Sequence, residues 1–131
     1  MIPQDLAAMG WTQDFAAQVT PEEAELRPAR LASVHRRTVE AITPAGRFEL
    51  VLPPSLPMGK LAVGDCVLAD DLRVHRVLNR SSLLHRFAAG SGVARQLIAA
   101  NIDTLLIVTS CNADFNEARL ERYLALAREA E

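Results

Sequence analysis

The chain has 131 residues, of which 50% are hydrophobic and 23% charged, a balance typical of folded globular proteins rather than of disordered ones. No run approaches the roughly 20 apolar residues that a membrane helix needs, and no basic segment precedes an apolar one at the start, as in a signal peptide. We therefore expect a cytoplasmic location and no membrane partner.

The formal net charge of -2 conceals an uneven distribution along the chain. Residues 1–26 contain five acidic and no basic side chains, whereas residues 27–95 contain eleven Lys or Arg and five acids. Residues 96–131 are acidic again, with three basic and six acidic side chains. A basic middle between acidic ends fits a nucleic-acid footprint, and a solvated surface whose charges balance elsewhere fits the counts equally well.

Residues 1–28 are predicted to form an acidic arm of short helical turns. Trp11 and Phe15 are its largest side chains, and we expect both to pack in a core. Thr20 and Glu23 stand three positions apart as in a capping box, which indicates a helical turn that starts after Thr20.

Residues 29–79 contain five short apolar segments separated by turn signals, among them Thr-Pro-Ala-Gly and Asp-Asp. The predicted strands cover residues 31–34, 39–42, 48–52, 66–69 and 74–78. Five strands in about fifty residues indicate a small closed β structure. The most economical choice is a five-stranded barrel of the OB type, although an SH3-like barrel would produce nearly the same pattern.

Two further segments follow the predicted barrel. The Ser, Gly and Arg content of residues 80–95 indicates a connector. Residues 98–110 form a continuous apolar run, typical of a strand buried on both faces of a mostly parallel sheet. Because only one helix follows before Glu131, we expect residues 96–131 to be the truncated start of an α/β domain. The predicted fold class is thus mainly β, and residues 98–108 should be buried in a complete protein and prone to fray or associate here.

The basic side chains of the barrel and connector are the candidate site, because phosphates need positive donors and Arg binds them in a forked manner. OB barrels bind nucleic acid across strands 2 and 3 and through the loops joining strands 1 to 2 and 4 to 5. Residues 35–37 fall in the first loop, whereas Asp70 and Asp71 in the second would repel phosphate. The predicted RNA-binding residues are Arg36, Arg37, Arg73, Arg76, Arg80 and Arg86.

Aromatic side chains on which bases could stack are scarce in this region. The barrel offers only Phe48, which we expect in the core, and the connector offers Phe87. This scarcity argues against a single-strand binding protein and favours a reader of folded RNA through its backbone and shape.

The residues predict neither a catalytic nor a metal site. Cys66 and Cys111 have no second Cys or His at ligand spacing, so we expect two buried, reduced thiols. The chain lacks a G-x-x-x-x-G-K-[ST] phosphate loop and has only one Lys. Asp65 is expected to cap backbone amides, as short carboxylates after turns do.

Three stretches resemble the ribosomal GTPases known as RsgA or YjeQ. The stretch QLIAANIDTLLIVTSCNADFNEARLERYLALA is similar to the family's Q-x-I-A-A-N-[VI]-D motif and R-Y-L helix, LNRSSLLHRFAAG to its L-P-R-R-S-x-L-x-R-K-A-A-G segment, and VGDCVL to its V-G-D-W-V. The sequence departs from the family pattern at Ser81 and Phe87, where basic residues are usual, and at Cys66, which replaces a Trp. Residues of the first match are Gln96, Ala99, Ala100, Asn101, Asp103, Asn112, Phe115, Asn116, Arg122, Tyr123 and Leu124.

The resemblance implies the RNA-binding N-terminal part of a GTPase that docks on the small (30S) ribosomal subunit and its rRNA late in assembly. It also implies a circularly permuted GTPase domain as an internal partner, with GTP, Mg and a structural Zn bound in the full-length protein and none of them in these residues. Alone, the chain should not hydrolyse GTP. Two alternatives remain, a stand-alone nucleic-acid-binding OB module and a protein interaction module whose basic face contacts the parent's own GTPase domain.

Overall fold

The computed structural model describes residues 3–87, 95–111 and 116–130. Five strands close into a barrel in the order β1-β2-β3-β5-β4, antiparallel throughout except for the pairing of β3 with β5. This order, in which β1 pairs with both β2 and β4, is that of the OB-type barrel rather than the SH3-like alternative. The strands are β1 (Arg27–Val34), β2 (Thr38–Thr43), β3 (Gly46–Val51), β4 (Cys66–Asp70) and β5 (Arg73–Val77).

The barrel interior is filled by the inward side chains of alternate strand positions, as the period of two predicts. Leu31 of β1, Val39 of β2, Leu50 of β3 and Val74 of β5 are almost completely buried there. Phe48 is partly buried against the same cluster, as expected for a core residue.

The N-terminal arm covers the outer face of β4. It contains helices α1 (Gln4–Ala8) and α2 (Gln13–Ala16) and a 3-10 turn at Pro21–Glu23, so the predicted short helical turns are confirmed. Trp11 and Phe15, with ring centroids 5.7 Å apart, pack against Cys66, Leu68 and Leu78 in a second apolar cluster. We call this set the outer cluster. It explains why β4 is buried on both of its faces.

The capping box predicted at the end of the arm is confirmed. The backbone amide and the hydroxyl of Thr20 both donate to Oε1 of Glu23, at 3.0 and 3.1 Å. The turn therefore holds the Glu23 carboxylate in a defined position beside the barrel.

A two-stranded antiparallel sheet follows the barrel, formed by β6 (Leu83–Phe87) and β7 (Arg95–Ala100), with helix α3 (Glu117–Glu129) packed against β6. The predicted connector thus contains a strand. Asn116 caps α3 by accepting a hydrogen bond from the amide of Arg119 at 3.1 Å. None of the described helices is long and apolar enough to cross a membrane.

The continuous strand predicted over residues 98–110 is wrong beyond Ala100. Residues 102–110 have no regular secondary structure, and Leu106 and Val108 are 83% and 91% exposed. The reason is that, in the described part of the chain, β6 is the only strand paired along this segment and its pairing stops at Ala100. Cys111, which follows, is exposed rather than buried, and both cysteines are free.

Candidate nucleic-acid interface

The β1–β2 loop (residues 35–37) and the β4–β5 turn (residues 71–72) meet at the carboxyl end of β3. The amide of Leu52 donates to the carbonyl of Arg37 at 2.9 Å, and the amide of Val51 donates to the carbonyl of Leu72 at 2.8 Å. Val51 also pairs with Arg73 of β5. Arg37 and Arg73 therefore flank the same strand end, which we call the loop end of the barrel.

Three of the predicted RNA-binding residues lie at this loop end. Arg36, Arg37 and Arg73 are all exposed. Within the described residues, no hydrogen bond or ion pair engages their guanidinium groups. They are the predicted residues whose donors remain available for an external anion.

Arg27, which is not among the six predicted RNA-binding residues, lies at the same end. Its Nη2 donates to the carbonyl of Asp71 at 3.3 Å, and its guanidinium carbon lies 5.1 Å from the centre of the Phe48 ring. Asp70 pairs with Arg73 in the β4–β5 register. Asp70 and Asp71, the two aspartates expected to repel phosphate, thus lie at the same end of the barrel as Arg27 and Arg73. The signal in the sequence was a basic residue at the start of β1, directly before Pro28.

Arg76 has an internal partner instead. Its Nε and Nη2 donate to the two carboxylate oxygens of Glu23, each at 2.8 Å, and Nη2 also donates to the carbonyl of Gln18 at 2.7 Å. Hydrogen bonds from Arg76 and from the Thr20 amide lower the pKa of Glu23 to about 2. Arg76 therefore ties the acidic arm to β5.

Arg80 is likewise bound within the protein. Its Nε and Nη2 donate to the carboxylate oxygens of Asp65 at 2.7 and 2.9 Å, and Nη2 donates to the carbonyl of Lys60 at 2.7 Å. Asp65 is fully buried and accepts from the amide of Ala62 at 2.8 Å, so the expected capping role is confirmed. A buried carboxylate needs such a partner, since leaving it unpaired is costly.

Arg86 lies on β6, in the two-stranded sheet rather than in the barrel. Its Nε donates to Oε1 of Gln96 across the hairpin at 2.9 Å, and it lines a surface cleft with Arg122 and Tyr123 of α3. The six predicted residues therefore divide into three at the loop end, two in internal ion pairs and one on a separate surface. No three His, Cys, Asp or Glu side chains in the described part of the chain cluster to hold a metal.

Comparison with known proteins identifies the family. The family profile described as RsgA GTPase matches residues 77–131. The chain is 50% identical over 127 residues to the small ribosomal subunit biogenesis GTPase RsgA of Mesorhizobium japonicum, a match that covers 95% of this chain and 36% of that protein. The chain belongs to the RsgA family.

Other RsgA relatives give the same result. Identity is 45% over 130 residues with the small ribosomal subunit biogenesis GTPase RsgA 2 of Vibrio vulnificus, covering 98% of this chain and 37% of the relative. Identity is 40% over 131 residues with the small ribosomal subunit biogenesis GTPase RsgA of Xanthomonas campestris, covering 95% of this chain and 34% of the relative. The chain thus spans about a third of the length of these relatives.

Residues of the RsgA motifs meet where the barrel joins β7. Asn101, which is 7% exposed, donates from Nδ2 to the carbonyl of Gly64 at 2.9 Å and accepts from the amide of Ser81 at 2.8 Å. Ser81, one of the departures from the family pattern, thus has a structural contact. Cys66, another departure, faces the outer cluster, and burial raises the pKa of its thiol to about 11. Residues 88–90, Asn112 and Phe115 lie outside the described residues.

Proposed function

We propose that this chain is the RNA-binding part of a ribosome small-subunit-dependent GTPase, and that it docks the protein on the small subunit late in assembly. Its relatives carry the name small ribosomal subunit biogenesis GTPase. On this proposal Arg36, Arg37 and Arg73 contact rRNA phosphates at the loop end of the barrel. The protein then works in the cytoplasm with small ribosomal subunits.

The observation that carries this proposal is the convergence of the two loops at the end of β3. Two backbone hydrogen bonds, from Leu52 to Arg37 and from Val51 to Leu72, hold them together. The loop-end arginines are thereby held along a surface that a phosphate backbone could follow. The guanidinium of Arg27, which lies over the Phe48 ring, adds a planar cation at the edge of the same surface. Such a cation can contact the phosphates of a nucleic acid without recognising particular bases.

GTP hydrolysis belongs to the whole family protein in this proposal. The 131 residues contain no phosphate-loop motif, and thus no residues fitted to hold GTP with Mg. We expect GTP, Mg and the structural Zn to be bound by parts of the family protein that this chain does not span. The chain alone should therefore bind the subunit without hydrolysing GTP.

Arg76 and Arg80 are omitted from the proposed interface because carboxylates already neutralise them. Arg86 stays a predicted contact on its separate surface. These assignments make the proposal specific to one end of the barrel, where two charges can be removed without touching an ion pair.

Binding of the chain to purified small and large ribosomal subunits across a salt series tests the proposal. We expect selective small-subunit binding whose affinity falls steeply with salt, because phosphate contacts release condensed counterions. Arg37→Ala/Arg73→Ala should weaken binding and reduce the slope of log affinity against log salt by about 1 to 2, roughly one per lost phosphate contact.

The matched control is Arg95→Ala/Arg128→Ala, which removes the same net charge away from the loop end. Both side chains are exposed: Arg95 begins β7, and Arg128 lies in the last turn of α3. An equal loss of affinity in both double variants would contradict the proposed site. Equal binding of the chain to both subunits would favour a general nucleic-acid module, and no binding to either would favour contact with the GTPase domain.

A further inference from the structure

Arg30 of β1 contacts three segments that lie far apart in the sequence. Its Nη1 donates to the carbonyl of Met9 in the arm at 2.8 Å, and its Nη2 donates to the carbonyl of Asn101 after β7 at 2.8 Å. Its Nε donates to the carbonyl of Gly64 in the loop before β4 at 3.2 Å. One partly buried guanidinium thus joins the arm, the barrel and the end of β7.

The end of β7 is seated closely on the barrel at this point. The amide of Ala100 donates to the carbonyl of Val63, in the loop before β4, at 2.7 Å, and the amide of Asn101 donates to the carbonyl of Ser82, which lies just before β6, at 3.0 Å. A Cβ atom at Gly64 would collide with the carbonyl oxygen of Ala100, so the contact leaves no room for a side chain. We call this contact the junction.

Asn101 has a left-handed backbone, with φ of 57°, which Asn tolerates better than most residues. Its side chain shares the Gly64 carbonyl with Arg30. The side-chain hydrogen bond of Asn101 therefore already constrains its conformation, and Arg30 adds a second constraint by binding its carbonyl. Losing the Arg30 contact would remove one of the supports of this conformation.

We propose that Arg30 couples the docking of the arm to the seating of β7 on the barrel. The guanidinium is a rigid planar fork, so a group that displaces Nη1 also rotates Nη2 away from its acceptor. Displacement of the arm at Met9 should therefore loosen the junction at Ala100 and Asn101. This inference rests on the observed contacts and does not depend on the proposed RNA interface.

The coupling bears on how the barrel is oriented relative to the part of the chain that matches the RsgA GTPase profile. β1 carries Arg30 in its middle and leads directly into the loop end at residues 35–37. β7 lies within the matched segment, residues 77–131. Tight seating at the junction would hold these two parts in one arrangement, and a displaced arm would release it.

The substitution Gly10→Ala tests the coupling from the arm side. Gly10 has φ of 86°, and a Cβ atom there would collide with Nη1 of Arg30. Amide hydrogen exchange of the 131-residue chain, measured residue by residue by NMR, reports on the junction through the amides of Ala100 and Asn101. We expect both to exchange about tenfold faster or more, because a charge-assisted hydrogen bond is lost.

The matched control is Gly46→Ala. Gly46 also has a left-handed backbone, with φ of 126°, but a Cβ atom there meets nothing within 4 Å. It imposes comparable backbone strain without touching Arg30, so the amides of Ala100 and Asn101 should keep their exchange rates. Unchanged rates at these amides in Gly10→Ala would overturn the proposal, as would an equal acceleration in the control.

Arg30→Lys provides a second variant that leaves the arm sequence intact. A single ammonium group lacks the fork that reaches all three carbonyls, so exchange should accelerate at the junction and at the arm amide of Trp11 together. The amide of Leu50 in the barrel serves as the reference for global unfolding. Acceleration of Leu50 by the same factor would mean that Arg30 supports only overall stability, which would overturn the coupling.

Discussion

Two apolar runs of similar composition have opposite fates in this molecule. β4 is buried on both faces, with Val67 inside the barrel and Leu68 under the arm. Residues 102–110 contain the wholly apolar stretch Leu-Leu-Ile-Val at 105–108, yet they form no strand and expose Leu106 and Val108. The difference is that β4 has paired strands on both sides and an apolar layer over each face. An apolar run thus becomes a buried strand only where other elements satisfy its backbone and cover its side chains.

The largest effect should come from uncovering β4. Trp11→Ala removes the main side chain of the outer cluster and should lower the free energy of unfolding by about 3–5 kcal/mol. Urea denaturation, followed by circular dichroism, measures this loss. Met58→Ala is the control, because Met58 is 44% exposed and its truncation should cost within about 0.5 kcal/mol. A loss in Trp11→Ala as small as in the control would show that the arm does not stabilise β4.

The next largest loss of stability should come from breaking the ion pair between Arg80 and Asp65, the residue just before β4. Arg80→Ala leaves the fully buried carboxylate of Asp65 without its charged partner and should cost about 3 kcal/mol of unfolding free energy. The double variant Asp65→Asn/Arg80→Ala removes the buried charge as well, so it should recover part of the loss in the same urea assay. If the double variant were less stable than Arg80→Ala alone, the penalty would not come from an unpaired charge.

A smaller loss of stability should follow when low pH protonates Glu23, whose carboxylate binds Arg76 and so holds the arm to β5. The pKa of Glu23 is about 2 in the folded protein, against an ordinary value of 4.5, chiefly because Arg76 hydrogen-bonds its carboxylate. The lowered pKa means that this stabilisation is complete above pH 4.5 and is lost as the pH falls towards 2. The wild type should therefore have a higher urea midpoint than Glu23→Gln at pH 6, and the difference between the two midpoints should narrow below pH 4.5. A difference independent of pH would contradict the ion-pair origin.

The smallest change in stability should come from substitutions in residues 102–110, the apolar run that exposes Leu106 and Val108. Leu106→Ala should change the free energy of unfolding by no more than about 0.5 kcal/mol, because the side chain is 83% exposed. Leu68→Ala, the same substitution in the covered run, should cost about 2–5 kcal/mol. Similar losses at the two positions would mean that residues 102–110 are covered in solution, and size-exclusion chromatography would then show whether the chain self-associates.

The residue pattern alone was sufficient for the existence of the five barrel strands, although β1 begins at Arg27, inside the predicted arm, rather than at residue 31. It was also sufficient for the capping box at Thr20 and Glu23 and for the family. These features depend on local periodicity, turn chemistry and motif spacing, which the chain displays directly. The segments after the barrel were harder to predict. Their Ser, Gly and Arg residues indicate a connector, and this composition is the same whether or not the flanking residues pair as the β6–β7 hairpin.

Only the tertiary structure decided which arginines face outward. Arg76 and Arg80 are not distinguished from Arg37 and Arg73 by residue type, because their acidic partners lie 53 and 15 residues away in the sequence. The covering of the outer face of β4 by the arm, and the choice of carbonyls that Arg30 reaches, depend likewise on contacts between distant segments. The sequence by itself determined what each segment can form, and packing determined which charges and apolar faces found partners, because burial and ion pairing are properties of neighbours in space.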